Sequence, residues 1–203
     1  MGVILSEKVQ QPLPPQNLAA AAPGGAAVVE PPLLVQDFTL TSQSGQPLSL
    51  SELRGRPVLL FFGYTHCPDE CPLTLAEFTQ VKSQLGDLGE KVHFLFISVD
   101  GERDTPSVVA EFLRRFDDSF VGMTGDSDSL RQLGTRFGLM FEAVVLGNDG
   151  SQRPATNQDE NYFVSHISPS FLIDQDGYLS RVFSYGTKAD VIASNLRQFL
   201  DMG

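Results

Sequence analysis

An α/β fold, with a central mixed β-sheet flanked by helices and an N-terminal β-hairpin, is predicted by three observations. Residues 57–62 (PVLLFF) and 93–99 (HFLFISV) are unbroken apolar runs, as expected of strands buried on both faces. A segment with helical spacing follows each of them. The last third instead carries short strand-like runs around Asp176-Gly177, a turn signal that implies an antiparallel closing hairpin.

The elements follow in order. Residues 1–32 read as a flexible Pro/Ala-rich tail, because Pro12, Pro14, Pro15, Pro23, Pro31 and Pro32 break helices and little in it is able to pack. Its start, MGVILSEK, has neither the basic region nor the apolar stretch of a secretory signal. The tail is therefore read as a disordered terminus or as a tether left by a removed signal or anchor. Residues 33–203 read as one domain. Within it, 35–40 and 46–50 around Ser44-Gly45 form the hairpin, with a helical turn at 51–53. After the strand at 57–62, Leu75, Phe78, Val81, Lys82 and Leu85 mark a helix over 74–85. Beyond the strand at 93–99, Thr105 supplies an N-cap and Pro106 a first helical residue, for a helix to about Phe116. A short strand at 120–123 and a helix at 127–137 closed by Gly138 complete this part. Strands at 139–145, 162–164, 170–173 and 178–184 precede a last helix at about 188–200.

Composition narrows the function. The 203 residues hold 14 Lys+Arg against 25 Asp+Glu, a net charge of −11. Nucleic acid and anionic membrane surfaces demand clustered cations, so neither is an expected partner. A 41% hydrophobic content excludes global disorder. No apolar run approaches the roughly 18–20 residues of a membrane span, so the chain as given is not expected to insert. A monomer is expected.

The chemistry centres on Cys67 and Cys71, the only two cysteines. They sit where a buried strand gives way to a helix, in the region beyond the carboxyl ends of strands where ligands gather in α/β sheets. A helix start favours a thiolate. Positions four apart share a helical face, and Cα atoms about 6 Å apart fall in the disulfide range. Core packing and a static disulfide are alternatives. Pro68, Asp69, Glu70 and Pro72 argue against a core seat, and so short a loop gains little from a structural bridge. A functional dithiol supports either thiol–disulfide exchange or metal binding. Of the three histidines, His66 adjoins Cys67 and is placed to tune it, His93 begins a strand, and His166 lies in a loop before an apolar strand.

The segment Tyr64-Thr65-His66-Cys67-Pro68-Asp69-Glu70-Cys71-Pro72, then Ser98-Val99-Asp100 with Glu102-Arg103-Asp104-Thr105-Pro106, then His166 eight residues before Asp174, resembles the Sco/SenC family. The likeness runs from about Val35 to Leu200. It implies a thioredoxin-like domain and a copper metallochaperone that serves the CuA site of cytochrome c oxidase. It implies Cys67, Cys71 and His166 as copper ligands, the two thiols as a redox pair able to form a disulfide, and Asp100 as an acid behind the site. Two thiolates and an imidazole are a soft donor set that suits Cu(I), although Cu(II) is also expected of the family. The implied partner is the CuA-bearing oxidase subunit or another copper protein. The implied location is periplasmic, or membrane-associated facing the periplasm, or the mitochondrial intermembrane space. A thiol–disulfide reductase that keeps a partner's copper-ligand cysteines reduced, and a redox sensor, are alternatives on the same pair.

Two departures from the family pattern stand out. Gly101 occupies a position more often held by Pro, which implies a more flexible loop, and Pro169 stands where thioredoxin relatives carry a cis-proline. Other readings fail on residues. A CuA centre itself would need His where Leu75 stands, and a peroxiredoxin would need Thr or Ser where Tyr64 stands. Thioredoxin oxidoreductases place two residues between their cysteines, not three. A closed zinc site lacks a fourth strong ligand. No phosphate loop or nucleophile elbow is present.

Overall fold

The computed structural model describes residues 25–147, 149–156, 158–159, 161–165 and 169–200. Eleven strands and four α-helices are found among them. Strands β1 (Ala26–Leu34), β2 (Thr39–Ser42), β3 (Pro47–Ser49), β4 (Val58–Gly63), β5 (His93–Ser98), β6 (Val121–Thr124), β10 (Ser170–Ile173) and β11 (Tyr178–Phe183) build the main sheet. Their order is β1-β11-β10-β4-β5-β6-β2-β3. Strands β4, β5 and β6 run parallel, and the remaining pairings are antiparallel. Strands β7 (Glu142–Leu146), β8 (Gln152–Pro154) and β9 (Phe163–Ser165) form a small second sheet, ordered β8-β7-β9.

The sheet is centred on the two apolar runs. Every residue of β4 is buried, and all but His93 of β5. Helices α1 (Glu70–Leu85), α2 (Pro106–Leu113), α3 (Ser127–Arg136) and α4 (Ala189–Leu200) cover it. Phe78 of α1 and Phe112 of α2 meet Phe61 and Phe96 on one face, while Phe137, just past α3, meets Phe62 and Phe171 on the other. Helix α4 packs beside α1. The expected N-cap on α2 is formed: the Thr105 hydroxyl accepts from Val108 N–H, with Pro106 in the first turn. Gly177, with φ of 93°, makes the closing hairpin turn.

Two local expectations are corrected. Residues 26–32, read as tail, belong to β1, which pairs with β11 and buries Ala27 and Val29. Pro31 and Pro32 resemble a linker in sequence, but they lie where the register shifts between Val28 and Leu33, on an edge strand that tolerates a missing N–H. Strand β8 was not expected: Gln152-Arg153-Pro154 is exposed throughout and carries no apolar alternation to read. Residues 1–24 of the expected tail lie outside the described residues.

Candidate functional site

Strand β4 ends at Gly63, and α1 begins at Glu70. The intervening loop carries Cys67, and Cys71 lies in the first turn of α1. The helix thus begins four residues before the expected start, and Cys67 precedes it rather than sharing its face. The sulfurs meet nonetheless. The Cys71 N–H, one of the unpaired donors of a helix start, donates to Cys67 Sγ at 3.4 Å. Both are free thiols, Cys67 half-buried and Cys71 fully buried. Gly63 provides the space: a Cβ there would stand 2.9 Å from Cys71 Sγ and 2.7 Å from the Phe61 ring. The Cys71 thiol is pushed well above the ordinary range, first by the adjoining Cys67 thiol and then by burial.

The loop is anchored from below by Asp104, a fully buried carboxylate. Its Oδ2 accepts from Thr65 N–H at 2.9 Å and from the Ser98 hydroxyl at 2.7 Å, and its Oδ1 accepts from the Thr65 hydroxyl at 2.6 Å. His66 turns its Nδ1 toward Thr65 Oγ1 (3.1 Å) and Asp104 Oδ1 (3.6 Å), with half of the side chain exposed. Tyr64, also buried, accepts from Cys67 N–H through its backbone carbonyl at 3.2 Å. Burial, then the nearby Cys67 thiol, pushes this phenol up to about 12.

Asp100, expected behind the site, is buried and holds a separate clamp. Arg103 Nε and Nη2 both lie 2.6 Å from Asp100 Oδ2, and the Tyr162 hydroxyl donates to Oδ1 at 2.6 Å. Arg103 also lies 3.5 Å over the Tyr162 ring, and its Nη1 donates to the Tyr162 carbonyl at 3.0 Å. The clamp ties the β5–α2 loop to the chain entering β9. Strand β9 ends at Ser165, next to His166 in sequence. His166 itself, and the peptide joining Ser168 to Pro169, lie outside the described residues.

Among the described residues, His66, Asp100 and Asp104 bring potential metal-binding atoms within 4.8 Å of one another. Both acids already accept several internal hydrogen bonds, so they serve as anchors. The expectation for Gly101 also changes. A Cβ there would overlap the Gly125 carbonyl oxygen and press on Leu130, so close approach to the β6–α3 connection, not loop flexibility, accounts for the glycine. Sequence reasoning assigned no role to Tyr64, Thr65, Arg103, Asp104 or Tyr162. All but Tyr162 lay within the quoted motifs, and a second acid four residues after Asp100 was the available signal.

The SCO1/SenC family profile matches residues 27–201. A SCO2-like protein of Rickettsia felis is 35% identical over 148 residues, spanning 72% of this chain and 68% of that protein. The structure of Bradyrhizobium japonicum ScoI with copper bound superposes with a TM-score of 0.69 at 32% identity, covering 82% of this chain and 99% of that one. The solution structures of apo Sco1 from Thermus thermophilus give a TM-score of 0.72 at 30% identity, covering 89% and 98%. The thioredoxin-like fold, the β4–α1 cysteine pair and the extent of the match have one explanation: the chain belongs to the SCO1/SenC family.

Proposed function

We propose that this chain is a copper chaperone that binds copper through Cys67, Cys71 and His166 and delivers it to the CuA site of cytochrome c oxidase or to another copper protein. The observation that carries this reading is the free thiol pair at the start of α1, with the Cys71 N–H on Cys67 Sγ, in a chain similar to a ScoI whose structure holds copper. Two soft sulfurs prefer Cu(I), and His166 would complete a three-ligand set. Thiols ligate as thiolates, so copper must displace the Cys71 proton. Half-buried Cys67 is the point of entry, and it is also where an incoming partner's thiolate would begin to take the metal. The test is Cu(I) titration of the reduced chain with simultaneous thiol counting. One copper per chain, with both thiols masked, is the expected result. Copper uptake that leaves the thiols reactive would refute it.

The asymmetry of the pair favours a second reading, a thiol–disulfide reductase for a partner's copper-ligand cysteines. Cys67 would attack the partner disulfide and release one thiolate. Buried Cys71 would then lose its proton and displace the second, leaving a Cys67–Cys71 disulfide. His166 is needed by the copper reading and not by this one. Among the described residues no helix is long and apolar enough to cross a membrane. A monomer working in the periplasm, or in the mitochondrial intermembrane space, fits either reading.

A further inference from the structure

One short loop reaches both halves of the candidate site. The β5–α2 connection leaves the sheet after Ser98 and enters α2 at Pro106. It carries two buried carboxylates, Asp100 and Asp104, and each holds a different segment. Asp104 binds Thr65, two residues before Cys67. Asp100 accepts from the Tyr162 hydroxyl, four residues before His166. Arg103 spans the two segments: its guanidinium lies 3.5 Å from the Tyr162 ring centroid and 6.0 Å from that of Tyr64, the first residue after β4. The loop is also braced internally. The Ser98 hydroxyl accepts from Asp100 N–H at 3.0 Å and donates to Asp104, and Asp104 N–H donates to the Asp100 carbonyl at 2.9 Å. Gly101 packs closely on the β6–α3 connection.

We propose that the 100–104 loop is a bracket that sets the spacing between the cysteine loop and the β9 segment leading to His166, with Arg103 and Tyr162 as its positioning residues. The proposal rests on the reading of Cys67, Cys71 and His166 as the copper ligands. A ligand on an untethered segment must be ordered as the metal binds, and that ordering is subtracted from the affinity. Fixing β9 to the bracket before copper arrives removes this cost. The bracket supplies no ligand of its own, because both carboxylates are taken up by internal hydrogen bonds.

The experiment measures Cu(I) affinity of the reduced full chain by competition with a chelator, and amide hydrogen exchange of residues 163–165 without metal. Tyr162→Phe removes only the hydroxyl donated to Asp100. It should weaken Cu(I) binding about three- to tenfold and quicken exchange in β9. Arg103→Lys keeps a charge beside Asp100 and loses the Nη1 contact with the Tyr162 carbonyl. It should act the same way, and it carries the test if Tyr162→Phe does not fold. In a His166→Ala chain either substitution should change the affinity less than about twofold, because the segment it loosens no longer carries a ligand. A general loss of structure would instead weaken both backgrounds alike. A Tyr162→Phe chain within about twofold of wild type, or an equal loss in the His166→Ala background, overturns the bracket. Unchanged exchange in β9 overturns it as well. A His166→Ala chain that binds Cu(I) as tightly as wild type overturns the copper reading itself, and the bracket's purpose with it.

Discussion

Replacing Asp104 tests how the cysteine loop is held in place. Three donors converge on this buried carboxylate: Thr65 N–H, Thr65 Oγ1 and Ser98 Oγ, at 2.6–2.9 Å. Alanine would leave all three without their acceptor, and each unsatisfied buried donor costs about 1–3 kcal/mol. The two hydroxyls rotate toward other partners and recover part of this, so Asp104→Ala should lose about 3–5 kcal/mol. Asparagine keeps one carbonyl oxygen, which serves Thr65 N–H and Ser98 as Oδ2 does now, and its amide faces a Thr65 hydroxyl able to accept. Asp104→Asn should lose only the charge-assisted share, about 1–2 kcal/mol. Urea unfolding followed by circular dichroism measures both. The Asn chain, still folded, should also show faster alkylation of Cys67, because the Thr65 anchor two residues away is weakened. An Asp104→Ala chain within about 1 kcal/mol of wild type, or an Asn chain less stable than the Ala chain, would refute the anchoring argument.

Three further outcomes follow from the same geometry. Gly63→Ala should destabilise by about 1–3 kcal/mol and alter Cys71 reactivity, since the new methyl would stand 2.9 Å from its sulfur and from the Phe96 ring; urea unfolding and thiol alkylation would detect both effects. Burial raises the Asp117 carboxyl, but hydrogen bonds from Ser119 and Lys82 outweigh it and hold the group below its ordinary value of 3.8. Its stabilisation is therefore complete above that value and is lost as pH falls through the lower folded value. After allowance for solvent screening, Asp117→Asn should cost about 0.5–1 kcal/mol near neutrality and little at the acid end, as measured by unfolding across pH. Deleting residues 1–24 should leave copper stoichiometry unchanged, whereas deletion through Leu34 removes β1, uncovers the β11 edge and should lower the melting temperature clearly.

The parts of the fold legible in the sequence were those where a single residue pattern decides the outcome. The unbroken apolar runs of β4 and β5 could only be central strands, and Thr105-Pro106 marked a helix start through local hydrogen bonding. Strand β1 was hidden because its pairing with β11 comes from more than 140 residues away, for example Ala26 with Phe183, and because prolines in an edge strand look like a linker. The start of α1 was missed because Glu70, Cys71 and Pro72 carry no apolar spacing; Cys71 is buried by the room Gly63 leaves. In the site, the cysteines were legible from spacing and neighbours. Asp104 was not, because a buried carboxylate reads like a solvated one until Thr65 and Ser98 are seen around it.

The three-ligand copper site is the centre of the account, and Cu(I) competition against a chelator with His166→Ala tests it most directly. Loss of a group that merely supports a metal ligand weakens binding about 10–100-fold, so loss of a ligand should weaken it at least that much. The dithiol should survive, because Cys67 and Cys71 are held together through the Cys71 N–H without an imidazole. The predicted result is a variant that still cycles between dithiol and disulfide while holding Cu(I) poorly. An affinity equal to wild type would contradict the three-ligand site and leave thiol–disulfide exchange as the function of the pair.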